Sequence, residues 1–178
     1  YLLEHGVTKA YAGCSSDADA NYCATYAFAA DKLEPVVACP HEVDNVTAVA
    51  AVKNVNIQQA YLGSCTGGRY SDLKAAADIL QGRKVKSGTR LLVSPASQEV
   101  WLKANKEGVL TTLLEAGATI LAPSCGVCVG LHSGLLAAGE NCISSTNRNF
   151  VGRMGSKEAS IYLASPLAVA ASAVTGSI

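Results

Sequence analysis

From residue 57 onward, short apolar runs alternate with longer segments of helical spacing, and this alternation restricts the possible folds more than any other feature. Residues 57–63 read as a strand that ends in a small-residue loop, Ser64-Cys65-Thr66-Gly67-Gly68. Beyond Ser71, the apolar positions Leu73, Ala76, Ala77 and Leu80 recur at helical spacing in an Ala-rich stretch, and Gly82 stops it. Residues 90–93 form a second apolar run, ended by Ser94-Pro95. Ser97 caps a helix through Val100, Trp101 and Ala104, and a further helix over 109–116 stops at Gly117. Residues 119–122 and 141–145 read as two more strands, with a Cys- and Gly-rich loop at 124–130 between them. Residues 157–164 and 166–174 read as helical, divided by Ser165-Pro166. Short buried strands alternating with helices predict an α/β domain with a mostly parallel sheet.

The first 45 residues have no such pattern. Asp17 or Asp19 could cap a short helix running to Cys23. Residues 33–40 place Pro35 and Pro40 around a short apolar run, which suits an extended connector or an edge strand. His41, Glu42, Val43, Asp44 and Asn45 read as a loop. The expected organisation is a partly irregular lead-in over 1–56 and an α/β domain over 57–178. The chain begins at Tyr1-Leu2-Leu3-Glu4, in mid-pattern, and reads as a piece of something longer.

Composition removes several function classes. Hydrophobic residues at 49% against 16% charged are enough to build a core and exclude disorder. Fourteen basic residues balance fourteen acidic ones, so the excess that drives electrostatic nucleic-acid binding is missing and no nucleic-acid partner is expected. No apolar stretch reaches the roughly 18 residues of a membrane span, and no signal peptide is read. Seven cysteines, an odd number in a mid-sized chain, point to a reducing compartment, hence to a cytoplasmic location.

Cys65 and the pair Cys125/Cys128 each follow a predicted strand. Ligands of such sheets bind beyond the carboxyl ends of the strands, so the three thiols form one candidate site if those strands are near neighbours. A closed zinc site would want a fourth protein ligand, and neither a second C-x-x-C nor a histidine at finger spacing is present. A thioredoxin-type redox pair would have no use for Cys65. Three thiolates suit an iron–sulfur cluster with one iron lacking a protein ligand, a group able to act as a Lewis acid. The plain alternative is that Cys125 and Cys128 are small loop residues. Cys14, Cys23, Cys39 and Cys142 are read as buried small hydrophobes. Further on, Asn147-Arg148-Asn149-Phe150-Val151-Gly152-Arg153 sets two arginines five apart beside two amides. Guanidinium forks match carboxylates, so this loop is a candidate carboxylate binder; surface or structural arginine pairing is the bland alternative.

The segments Gly63-Ser64-Cys65-Thr66, Cys125-Gly126-Val127-Cys128-Val129-Gly130, Ser145-Thr146-Asn147-Arg148-Asn149-Phe150-Val151-Gly152-Arg153 and Tyr162-Leu163-Ala164-Ser165-Pro166 together resemble the aconitase / 3-isopropylmalate dehydratase family. The resemblance is strong over 57–178 and loose before it, and its details lie closer to the isopropylmalate/homoaconitate branch. It implies a three-layer αβα domain of the aconitase iron–sulfur type, the third, cluster-bearing domain of a large subunit. It implies that Cys65, Cys125 and Cys128 ligate a [4Fe–4S] cluster and that Asn147, Arg148 and Arg153 contact substrate. The implied reaction is hydro-lyase chemistry: a 2-hydroxy di- or tricarboxylate loses water and regains it, moving a hydroxyl between adjacent carbons, as in leucine biosynthesis. Homoaconitase, aconitase and dimethylmalate dehydratase are the alternatives within the family, and a non-catalytic carboxylate- or iron-sensing domain is the alternative outside it. The family's large subunit is more than twice as long, with N-terminal domains upstream and a swivelling domain that a small subunit can carry. The isolated chain is therefore expected to be inactive, with no catalytic residue of its own, and able to exist without its cluster.

Other residues carry weaker signals. His5, His41 and His132 could serve in acid–base chemistry but fit ordinary imidazoles, although His132 follows the cysteine loop closely. Glu42 and Asp44 suit a solvated acidic pair, and Asp72 a charge on a helix surface or a support for the Cys65 loop. Ser64 and Thr66 could donate to cluster sulfides or merely cap a loop, and Trp101 and Tyr162 read as core aromatics.

Overall fold

The computed structural model describes residues 2–9, 12–52 and 54–178. The chain divides into two compact units, Tyr1–Leu33 and Glu34–Ile178. The described part of the first unit is almost wholly exposed and contains one short 3-10 turn, Ala30–Lys32. The helix expected near Asp17 does not form. A single turn, closed by the Ala20 N–H on the Asp17 carbonyl at 3.1 Å, stands there instead. No apolar stripe follows that turn, so nothing offsets the cost of nucleating a helix. Cys14 and Cys23, expected to be buried, are exposed.

The second unit contains the rest of the regular structure. Its elements are β1 (Val36–Ala38), β2 (Val46–Ala48), β3 (Gln59–Gly63), α1 (Ser64–Gly67), α2 (Tyr70–Leu80), β4 (Arg90–Ser94), α3 (Gln98–Lys106), α4 (Val109–Ala116), β5 (Thr119–Ile120), β6 (Asn141–Ser144), β7 (Ser160–Leu163) and α5 (Pro166–Thr175). The seven strands form one sheet in the order β2-β1-β7-β6-β3-β4-β5. The pairs β7–β6, β6–β3, β3–β4 and β4–β5 are parallel, whereas β1 is antiparallel to both β7 and β2. The proline-flanked run thus becomes an added strand near one sheet edge, and β1 and β2 belong to the same compact unit as the parallel strands.

Helix boundaries follow the local signals. Asp72 accepts the Arg69 N–H at 3.0 Å at the start of α2, and Ser97 and Ser165 accept the Val100 and Ala168 N–H groups at 3.2 Å. Gly117 and Gly176 close α4 and α5 in left-handed conformations. One prediction failed: residues 157–164 are not a helix. Ser160–Leu163 instead pair in register with Asn141–Ser144. The helix-forming stretch there is only a few residues long, and Ser156 turns it by accepting the Glu158 N–H. A four-residue parallel ladder outweighs so short a helix.

The two faces of the sheet are covered differently. On one, α2, α3, α4 and α5 pack Leu73, Leu80, Ala104, Leu110, Leu113 and Val169 against Ala60, Leu62, Leu91, Val93 and Ile143. Each fully buried Leu contributes about 1.5–3 kcal/mol. On the other, Val127, Cys128, Leu136, Met154 and Ala159, all outside α-helices, cover Tyr61, Leu92, Cys142 and Ile161. The α/β class and the mostly parallel sheet are as read, but among the described residues the expected third layer is built of loops and the 3-10 turn Gly126–Val129.

Candidate functional site

The chain leaves β3 through a sharp turn. Gly63 is the last strand residue, and Ser64 takes a left-handed φ of 65°, a costly conformation for a residue with a side chain. Neighbouring strands hold this turn in place. Ser145, just beyond β6, accepts the Gly63 N–H at 3.0 Å and donates to the Gly67 carbonyl at 3.3 Å. A side chain at Gly67 would overlap Ser145, and one at Gly68 would meet the carbonyls of Ser64 and Ser94. Cys65 therefore projects, exposed, from a firmly clamped turn at the carboxyl end of β3.

The segment after β5 crosses toward the same strand. Ser94 Oγ lies 3.2 Å from the Ala122 carbonyl and 2.9 Å from that of Ser124. Tyr61, on β3, donates its hydroxyl to the Cys125 carbonyl at 3.0 Å. Cys125 is exposed, while Cys128 lies inside the loop-face core. Burial pushes the Tyr61 phenol up to about 12.

The third segment leaves β6, the other parallel neighbour of β3. The chain from β3 continues into the helix face, whereas the chain from β6 continues into the loops of the opposite face. Connections that part in this way open a crevice at the carboxyl ends of the strands, where ligands of open α/β sheets bind. Asn147 and Arg148, on the loop that leaves β6, are exposed, with an Arg148 guanidinium nitrogen 2.7 Å from the Asn147 carbonyl. Arg153 is half-buried, its Nε shielded from solvent and without a partner. Neither arginine is in an ion pair among the described residues. A side chain on Gly130 would crowd the Arg153 carbonyl, so the end of the cysteine loop abuts the arginine loop.

The family model described as "Aconitase family (aconitate hydratase)" matches residues 4–176. The chain belongs to the aconitase family. It is 48% identical over its full length to the 3-isopropylmalate dehydratase large subunit of Clostridium beijerinckii, covering 42% of that protein. Against the 3-isopropylmalate dehydratase large subunit 2 of Archaeoglobus fulgidus the identity is 49%, again over the full chain and 43% of the relative. A protein named "Probable methanogen homoaconitase large subunit" from Methanothermobacter thermautotrophicus is 51% identical over 92% of this chain and 38% of its own length. The chain thus spans less than half the length of these relatives.

Donor chemistry at the crevice suits the iron–sulfur group that the sequence suggested. Three thiols are present, and the Ser64 hydroxyl is buried without a partner. As placed, the thiols are not closed around one point: among the described residues, no three His, Cys, Asp or Glu side chains are grouped to hold a metal ion. Of the remaining cysteines expected to be buried, Cys39 is half-buried and only Cys142 is fully so, its thiol pushed up to about 12 by burial. His132 is exposed, with a left-handed φ of 68°. His41 keeps Nδ1 buried without a partner, and Glu42 and Asp44 are exposed.

Three residues that shape the site were given no role from the sequence: Tyr61, Ser94 and Ser145 anchor its loops. Asn149, one of the two amides of the arginine motif, is buried and donates to the Cys39 and Glu42 carbonyls at 2.8 and 3.1 Å. The one available signal was hydroxyl residues at the carboxyl ends of apolar strands, at 94 and 144–145. No helix among the described residues is long and apolar enough to cross a membrane.

Proposed function

We propose that this chain is the cluster-bearing part of a hydro-lyase large subunit that dehydrates and rehydrates a 2-hydroxy di- or tricarboxylate, of the 3-isopropylmalate dehydratase kind. The observation that carries this reading is that the loop bearing Arg148 and Arg153 leaves β6 beside β3, whose carboxyl end carries the Cys65 turn, and abuts the end of the Cys125–Cys128 loop at Gly130. Cys65, Cys125 and Cys128 would hold a [4Fe–4S] cluster. Such a cluster supplies Lewis-acid chemistry at the iron left without a protein ligand. Arg148 and Arg153 bind substrate carboxylates through paired N–H donors, and the Asn147 amide fixes their orientation. Substrate binding repays the desolvation of Arg153 Nε, which lacks a partner in the free chain. The general acid and base come from the remainder of the large subunit and from a small subunit, so the isolated chain does not turn over. Activity in the cytoplasm, in leucine biosynthesis, follows from this reading.

Anaerobic reconstitution with iron and sulfide tests it. Visible iron–sulfur absorbance with about four irons per chain, lost in Cys65→Ser, is the expected result. A reconstituted chain without that absorbance, or a Cys65→Ser variant that keeps it, overturns the assignment. With the cluster in place, Arg153→Lys should weaken carboxylate binding tenfold or more, roughly 1.4 kcal/mol or above.

A further inference from the structure

We propose that Tyr61 is a positioning residue for the Cys125–Cys128 loop: its hydroxyl latches the Cys125 carbonyl, and its ring forms the seat on which Gly126 turns. The latch is a property of the chain itself; its functional meaning rests on the cluster reading above. Tyr61 is fully buried on β3, at the middle of the loop-face core. A phenylalanine would fill nearly the same volume without the demand for a partner that a buried hydroxyl makes. That partner is the backbone of the residue carrying the exposed thiol of the loop. Gly126 follows at a φ of 51°, and any side chain there would overlap the Tyr61 hydroxyl.

The strand ladder does not reach this loop. The Leu121 N–H still bonds the Val93 carbonyl, but beyond it the anchors are side-chain hydroxyls. Ser94 Oγ serves the carbonyls of residues 122 and 124, Ser124 Oγ accepts the Gly126 N–H at 3.1 Å, and Tyr61 holds residue 125. Of these, Tyr61 alone joins the loop to β3, the strand that leads into Cys65. It thereby fixes one thiol-bearing segment relative to the strand that presents the other.

Alkylation kinetics of the metal-free full chain, read by mass spectrometry at each cysteine, test this without any cluster. Cys128 sits in the loop-face core and reacts only when the loop opens; Cys142, in β6, is fully buried and reports opening of the sheet. Tyr61→Phe should raise the Cys128 rate about fivefold, as expected for one lost hydrogen bond, with the Cys65 and Cys142 rates unchanged. An unchanged Cys128 rate, or equal acceleration at Cys128 and Cys142, overturns the proposal, the latter by showing a general loss of stability. Gly126→Ala leaves Tyr61 intact but displaces the turn from it, and should give the same selective acceleration even if Tyr61→Phe folds poorly; an unchanged Cys128 rate there also overturns the proposal. In reconstituted chain, Tyr61→Phe should lose iron to a chelator several-fold faster. Selective acceleration in the metal-free chain together with failed cluster assembly would sink the cluster reading and leave the latch standing.

Discussion

On one face of the sheet, four helices lay Leu73, Leu80, Leu110, Leu113 and Val169 over Ala60, Leu62, Leu91 and Val93; on the other, two loops lay Val127, Leu136 and Met154 over Tyr61, Leu92 and Ile161. The helix face satisfies its backbone within its own elements, so its side chains are free to supply packing. The loop face has no such supply of internal bonds. It borrows them from side chains and from neighbouring loops, as in the Leu136 N–H to the Met154 carbonyl at 2.8 Å and the Ser156 N–H to the Leu136 carbonyl at 2.9 Å. The helix face supplies stability, while the loop face and the edge beside it hold the thiols and arginines at backbone that can be adjusted.

Core truncations probe this contrast most strongly. Leu113→Ala on α4 should cost toward the upper end of about 2–5 kcal/mol, because regular helices cannot close the cavity; urea denaturation measures it. Met154→Ala removes an equally buried side chain from the loop face and should fall at the lower end, roughly 2 kcal/mol, since loops relax into the gap. Equal costs would break the comparison.

Gly67→Ala should cost about 1–3 kcal/mol, because the added methyl meets Ser145, just beyond the neighbouring strand β6. Its denaturation midpoint should drop, whereas Gly82→Ala, with open space around it, suffers only from its left-handed φ of 71°. The difference between the two isolates the clamp on the Cys65 turn.

The smallest effect lies at the opposite end of the sheet. Arg90 grips Glu140 through two bonds of 2.9 Å and reaches buried Gln59 at 3.2 Å, while the Gln59 amide donates to the Gly134 carbonyl at 2.8 Å. Hydrogen bonding from Arg90, opposed by partial burial, holds the Glu140 carboxyl below its ordinary value of 4.5. This contribution is complete above the unfolded value and is lost as pH falls from there through the lower folded value. Solvent screening at half-exposed Arg90 limits it to about 0.5–1 kcal/mol. Glu140→Gln should lower the denaturation midpoint at neutral pH and flatten its fall in acid.

Most of the helix face was legible in the sequence because a helix repeats: Leu73, Ala76, Ala77 and Leu80 declare their shared side. β3 to β6 were legible as short apolar runs between turn residues. The loop face was not. Val127, Leu136, Met154 and Ala159 share a core without sharing a period, and their burial depends on where the loops return. β2 is too short to register, and the helix read over 157–164 lost to pairing with β6. At the candidate site the thiol and arginine positions stood out by residue type and order. Their supports did not, because what Tyr61 or Ser145 bonds lies more than sixty residues away along the chain.

The smaller core contains three sulfur atoms, from Cys128, Cys142 and Met154, whereas the larger one has none. Irregular backbone presents no ridges for branched carbon side chains to mesh with, and soft, polarizable thiols and thioethers conform to whatever gaps remain. Burial shields these sulfurs, but a sulfoxide at Met154 would put a polar oxygen where there is no water to receive it, so an opening that admits oxidant should damage this face and spare the leucine-lined half.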